Sequence, residues 1–64
     1  MKLVLKDGIT EVWSGNELIG YSDETDDLYW IEPKTGYRVK VCEIDHSSEI
    51  IPALENWIKS QSVD

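Results

Sequence analysis

Short turn motifs recur through the first 44 residues of the chain and leave room only for short strands between them. Asp7-Gly8 and Gly15-Asn16 are two-residue hairpin signals. The segment 33–36 has proline and glycine at positions that a tight turn accepts. Strands joined by such turns run antiparallel, and β-branched and aromatic residues are common in the segments between the turns. We therefore expect five strands, at about residues 2–6, 9–14, 17–21, 27–32 and 37–44.

After residue 44 the apolar spacing changes from alternation to a helical repeat. One stripe with helical spacing contains Ile50, Ile51, Leu54, Trp57 and Ile58. Ser47 or Ser48 is the expected N-cap, and Pro52 must lie in the first turn. The pattern predicts a helix at about residues 48–61, followed by a short C-terminal tail at 62–64.

These elements predict an α+β fold in which a small antiparallel sheet of about five strands carries one C-terminal amphipathic helix on one face. A chain of 64 residues has room for one domain, so residues 1–64 are expected to form a single domain. Trp30 and Trp57 are expected in the core, because the strand period and the helix period point them inward.

Simple hairpin registers predict which side chains share a face of the sheet. The expected pairs are Leu3–Val12, Val12–Ile19, Thr10–Tyr21, Trp13–Leu18, Leu28–Val41 and Tyr29–Lys40. The face beneath the helix would then hold Leu3, Leu5, Val12, Ile19, Tyr21, Leu28, Trp30, Tyr37, Val39 and Val41. The opposite face would show Val4, Ile9, Trp13, Leu18, Tyr29 and Ile31 among charged residues. Such a patch marks an interaction site, although cross-strand packing with cation–π contacts explains it as well.

The charge is strongly negative and unevenly distributed. The formal net charge is −7, and no lysine or arginine stands between Lys6 and Lys34, where eight acids lie. Direct binding of nucleic acid requires a basic surface, so we do not expect it. No stretch approaches the roughly 20 apolar residues of a membrane span, so we expect no membrane partner.

Four acids crowd one connection of the predicted sheet, and they allow several interpretations. Asp23, Glu24, Asp26 and Asp27 lie within five positions. The calcium-loop pattern fails, because Leu28 and Lys34 occupy the positions that require glycine and glutamate, and we expect no metal site. Nothing indicates the desolvation that acid–base catalysis needs. The two interpretations left are a solvated loop and a recognition site for a basic protein.

The cysteine content bears on location and on catalysis. Cys42 is the single cysteine, so no intrachain disulfide can form, and a cytoplasmic location is expected. Cys42 and His46 are candidates for a nucleophile–base pair with Asp45 nearby, but three residues clustered in sequence do not make a triad. We therefore expect no enzyme activity and no cofactor.

The leading hypothesis is a non-enzymatic acidic protein-binding module that inhibits a basic, nucleic-acid-handling protein, for example by mimicking nucleic acid. Small acidic chains of this kind are typical of phage and mobile-element anti-defence inhibitors. The expected contact residues are Asp23, Glu24, Asp26, Asp27, Trp13, Leu18, Tyr29 and Ile31. The alternative is an accessory or structural module that pairs with a partner or with itself through its sheet edge or aromatic face. Either a monomer or a homodimer fits the sequence.

Overall fold

The computed structural model describes residues 1–61 and shows the α+β fold that the sequence predicts. Within these residues, five strands are followed by a 3-10 turn and a helix: β1 Lys2–Lys6, β2 Ile9–Ser14, β3 Glu17–Ser22, β4 Asp27–Ile31, β5 Arg38–Glu43, the turn Ser47–Glu49 and α1 Ile50–Gln61. The strands form one antiparallel sheet in the order β1-β2-β3-β4-β5. The predicted tail at 62–64 lies outside the described residues.

The first two turns have the backbone conformations that their sequences favour. Asp7 and Gly8 both have positive φ, +52° and +79°, as a type I′ hairpin turn requires. Gly15, with φ +62°, supplies the positive φ at the first central position of the second hairpin turn. These turns match the right-handed twist of the strands they join, and the registers they set include the predicted pairs Leu3–Val12 and Trp13–Leu18.

Two β-bulges make part of the predicted register wrong. Ile19 is an extra residue in β3, so that Val12 pairs with Gly20 and Thr10 with Ser22. Val41 is the extra residue in β5, so that Leu28 pairs with Cys42, while Tyr29–Lys40 is as predicted. At each bulge two residues oppose one on the partner strand, so the side chains beyond the bulge lie on the face opposite to the predicted one.

The bulge in β3 moves Tyr21 away from the helix, contrary to its predicted place beneath it. Gly20 and Ser22 take the positions on the helix side, where both are buried. A side chain at Gly20 would meet the carbonyl oxygen of Tyr29 and the side chain of Leu54, so the helix packs directly on the backbone here. The exchange leaves Tyr21 beside Tyr29 on the helix-free face.

The core lies between α1 and the middle of the sheet. Its buried members are Val12, Leu28, Ile44, Ile50 and Leu54, and the side chains packed around them are Leu3, Ile19, Trp30, Val41, Cys42 and Ala53. Leu5 and Tyr37 were predicted beneath the helix but are 76% and 75% exposed. A helix of 12 residues is only about 18 Å long at 1.5 Å per residue, so it leaves these corners of the sheet uncovered.

The two core tryptophans of the sequence prediction are half-buried and meet edge to face. The rings of Trp30 and Trp57 are 6.1 Å apart between centroids, and Trp30 packs on the buried cluster. Trp57 Nε1 is buried and has no hydrogen-bond acceptor among residues 1–61.

The start of the helical region differs from the predicted serine cap. His46 is the N-cap of the 3-10 turn, and the carboxylate of Glu49 accepts hydrogen bonds from the backbone N–H groups of Asp45 (2.9 Å) and His46 (2.8 Å). A carboxylate that turns back onto free N–H groups satisfies donors that a serine cap would otherwise have to satisfy.

Three hydrogen-bonded carboxylates are expected to make the fold less stable at low pH. The pKa values of Asp23, Glu32 and Glu49 lie below their ordinary values, because the carboxylates accept hydrogen bonds from the Thr25 hydroxyl, the Thr35 hydroxyl and the His46 N–H, respectively. A lowered pKa stabilises the fold above the unfolded-state pKa, and that contribution is lost as the pH falls through the folded-state pKa. We expect the melting temperature, followed by circular dichroism, to fall once the pH drops below the ordinary glutamate value of 4.5.

The Glu49→Gln variant should lose part of this pH dependence, whereas Glu55→Gln should keep it. Glu55 is an exposed residue of α1 whose side chain has no hydrogen bond or ion pair within residues 1–61, so it controls for the loss of one charge. Identical pH profiles for the two variants would contradict the role given to Glu49.

Candidate protein-binding surface

Carboxylates from three separate segments converge at one end of the sheet. We call Asp7, Asp23, Glu24, Asp26 and Asp45 the acidic end. Asp7, Asp23 and Glu24 border one surface depression, and Asp23, Glu24, Asp26 and Asp45 border the next. The N–H of Ile44 donates to the carbonyl oxygen of Asp26 at 2.9 Å and ties the segment after β5 to the β3–β4 turn. The acidic end is therefore built by the tertiary fold and not by one loop.

The β3–β4 turn is held by a compact set of hydrogen bonds around Thr25. Asp23 Oδ1 accepts from the backbone N–H of Thr25 at 3.1 Å and lies 2.6 Å from its hydroxyl. The N–H of Asp26 donates to the carbonyl oxygen of Asp23, and Asp26 has φ +64°. The hydroxyl of Thr25 lowers the pKa of Asp23 most, so this carboxylate is ionised at neutral pH. Glu24 and Asp26 are left exposed to solvent.

Asp27 shares the Thr25 hydroxyl with Asp23, at 3.1 Å from Oδ2, but it differs from the other three predicted acids in forming an ion pair. Its side chain is 20% exposed, and Oδ1 lies 3.3 Å from Lys40 Nζ, which also approaches Glu43 at 3.8 Å. The hydrogen bond from Lys40 to Asp27 is the main reason that the pKa of Lys40 is raised. Asp27 therefore forms an intramolecular ion pair between β4 and β5 and is largely inaccessible to a partner.

The helix-free side of the sheet carries a cluster that we call the aromatic face: Trp13, Leu18, Tyr21, Tyr29 and Ile31. All five are half-buried. The rings of Tyr21 and Tyr29 stack with centroids 5.2 Å apart. The indole N–H of Trp13 donates to Glu11 Oε1 at 3.2 Å. These side chains are partly covered by one another and by charged neighbours.

Arg38 joins the aromatic face to the acidic end. Its guanidinium carbon lies 5.0 Å from the centre of the Tyr29 ring, and Nη1 donates to the Tyr21 hydroxyl at 2.8 Å. This hydrogen bond is the main reason that the pKa of Arg38 is raised, and the charge of Asp23 adds to it. Asp23, Tyr21, Leu18 and Arg38 border one shallow depression of about 410 Å³. The two surfaces are thus continuous.

The structure places the predicted contact residues in three groups. Asp23, Glu24 and Asp26 lie at the acidic end, Trp13, Leu18, Tyr29 and Ile31 lie on the aromatic face, and Asp27 lies in its ion pair. Sequence reasoning missed Asp7 and Asp45 as members of the acidic end. It also placed Tyr21 beneath the helix, where it could not contact Arg38. The contact role of these residues stays a prediction.

The candidate nucleophile–base pair of Cys42 and His46 is not assembled into a site. Cys42 packs against the core cluster, while His46 is exposed at the start of the helical region. Within residues 1–61, no group of three or more histidine, cysteine, aspartate or glutamate side chains could hold a metal ion. Over the same residues, α1 lacks the length and continuous apolar character needed to cross a membrane.

Comparison with known proteins gives no relative from which a function could be carried over. No protein-family model, no curated protein and no solved structure matches the chain.

Proposed function

We propose that this protein is a non-enzymatic binding module that uses its acidic end and the adjoining aromatic face to engage a protein with a basic surface. In its concrete form it is an inhibitor that covers the nucleic-acid-binding groove of such a protein. The observation that carries the proposal is the convergence of carboxylates from three segments beside partly exposed aromatic side chains.

The charges at the acidic end are available to a partner. None of its five carboxylates has an ion-pair partner among residues 1–61, whereas Asp27 and Glu43 are both engaged by Lys40. Bringing like charges together costs free energy in the isolated protein, and arginine or lysine side chains of a partner would remove that cost. Carboxylates presented by rigid turns can occupy the positions that phosphates occupy on a nucleic acid.

The aromatic face supplies the apolar part of the same contact. Binding energy concentrates in a few large side chains that lose water on binding, and charges around them set the association rate and orientation. Tyr21 and Tyr29 are held in place by their stacking and by Arg38, so little side-chain entropy is lost when a partner covers them.

The proposal predicts that a paired neutralisation, Glu24→Gln with Asp26→Asn, weakens partner binding at least about tenfold at low salt and flattens its salt dependence. Asparagine tolerates the positive φ of Asp26, so the fold is preserved. The measurement is calorimetric titration against the basic nucleic-acid-binding protein that co-purifies from a host lysate, with displacement of its DNA or RNA as the second readout.

The matched control removes two charges elsewhere. Glu17→Gln with Glu55→Gln changes exposed carboxylates away from the acidic end and should leave affinity within about twofold. Equal losses of affinity for the two double variants would show that only the net charge matters and that the acidic end has no special role. The proposal would be contradicted by a partner that stays bound at high salt, is not displaced by nucleic acid and binds both double variants with wild-type affinity. That result would favour the alternative, an accessory or self-associating module.

A further inference from the structure

We infer that the outer edge of β1 is a strand-addition site that takes an extended peptide in which apolar and acidic residues alternate. This site is separate from the acidic end. It selects an acidic peptide, whereas the acidic end is proposed to bind a basic protein. Three features of β1 carry the inference, all within residues 1–61: backbone groups that no strand there pairs with, exposed apolar side chains on one side, and lysines without an ion-pair partner on the other.

Among residues 1–61, the backbone of β1 is paired on one side only. β1 is the first strand of the sheet and pairs with β2 from Lys2–Trp13 to Lys6–Ile9. The pair Lys6–Ile9 closes the two-residue hairpin and is hydrogen-bonded, so the bonding alternates and the N–H and C=O groups of Leu3 and Leu5 point away from β2. β5, at the other edge, is interrupted by its bulge at Val41. β1 is therefore the regular edge of the sheet, and free edges of this kind accept extended peptides.

On the helix side, β1 leaves apolar surface uncovered. Leu5 is 76% exposed and Met1 47% exposed. Met1 and Ile58 border an open depression of about 470 Å³ between the start of the chain and α1. Side chains of an added strand that point toward this side would cover Leu5 and Met1, so apolar residues are favoured there.

On the other side, β1 presents positive charge. Lys2, Val4 and Lys6 alternate with the leucines, and both lysines border a depression of about 400 Å³ that also contains Glu11 and Trp13. Lys2 and Lys6 are the only basic residues before Lys34. Within residues 1–61 neither has an ion-pair partner. An added strand with carboxylates on this side would pair with them.

The same lysines argue against a second copy as the occupant. Antiparallel self-pairing centred on Val4 would bring the Lys2 of one copy opposite the Lys6 of the other, which is destabilising. Lysine on an edge strand also protects against pairing with identical chains. An acidic strand would be attracted by these lysines and not repelled, so charge complementarity favours an acidic peptide as the occupant.

The test uses ¹⁵N-labelled protein and two synthetic peptides of about seven residues, one alternating glutamate with valine and one alternating lysine with valine, a length that matches a typical strand. We expect the glutamate peptide to bind, to shift the amide signals of β1 and to slow hydrogen exchange at Leu3 and Leu5. The lysine peptide should bind at least about tenfold more weakly.

Two sets of variants identify the contacts. Leu5→Pro removes an outward N–H that β2 does not use, and should weaken peptide binding about tenfold, whereas Leu5→Ala keeps the N–H and should cost less. Because proline could disturb β1, Lys2→Gln with Lys6→Gln provides an independent test at two exposed positions and should abolish the preference for the glutamate peptide. Glu24→Gln with Asp26→Asn should bind that peptide at least as tightly as the wild type, which separates this site from the proposed function.

Equal binding of the two peptides, or no slowing of exchange at Leu3 and Leu5, would overturn the inference. It would also be overturned by a dimer that forms without peptide and is abolished by Leu5→Pro in sedimentation experiments, since the edge would then belong to a second copy.

Discussion

Truncating Leu54 to alanine is expected to lower the free energy of unfolding by about 3–4 kcal/mol, as large buried truncations do when the cavity cannot collapse. Leu54 is fully buried in α1 and lies against the backbone at Gly20. A domain of this size has only about 3–5 kcal/mol of stability to lose. The variant should therefore retain little or none of this stability at 25 °C, as measured by urea titration with tryptophan fluorescence.

The same chemical change at Leu5 is the matched control for Leu54→Ala. Leu5 is 76% exposed at the uncovered corner of the sheet, so Leu5→Ala should change the unfolding free energy by no more than about 0.5 kcal/mol. Comparable losses at the two positions would show that α1 does not rest on the sheet through Leu54.

The turns explain why much of the sheet could be predicted. A two-residue turn fixes the pairs next to it, so the Asp7-Gly8 hairpin has its predicted register throughout β1 and β2. Errors begin where a bulge intervenes, because an extra residue changes the register without a strong sequence signal. One weak signal was present: a glycine inside a strand, Gly20, marks a bulge or a close approach of backbone, and here it marks both.

The acidic end could be predicted only in part, because it depends on strand order. Asp23, Glu24 and Asp26 are neighbours in sequence and were found by their density. Asp7 and Asp45 join them because, in a five-strand antiparallel meander, the first turn, the third turn and the end of the last strand lie at one end of the sheet. Turn signals alone allow several strand orders, so they do not predict this convergence. The pairing of Asp27 with Lys40 likewise required the cross-strand geometry of β4 and β5.

Replacing Gly20 with alanine is expected to destabilise the protein by about 2–3 kcal/mol, the upper part of the range for inserting atoms into a packed core. The new Cβ would lie 2.5 Å from the carbonyl oxygen of Tyr29 and 3.1 Å from Leu54 Cδ1. Leu54 could adjust its rotamer, but the carbonyl belongs to the neighbouring strand. Relief of the contact therefore requires β3 and β4 to move apart. Urea unfolding measures the loss in stability.

The displacement should also reach the aromatic face, because Gly20 stands between the bulge and Tyr21. Moving β3 away from β4 disturbs the 5.2 Å stack of Tyr21 on Tyr29, so the near-ultraviolet circular dichroism of Gly20→Ala should change even under conditions where the variant is folded. Gly15→Ala is the control: it meets no atom within 4 Å and suffers only from its positive φ, which costs about 1 kcal/mol. A Gly20→Ala variant no less stable than Gly15→Ala, with an unchanged aromatic spectrum, would contradict the close approach of β3, β4 and α1 that sets the tyrosine pair in place.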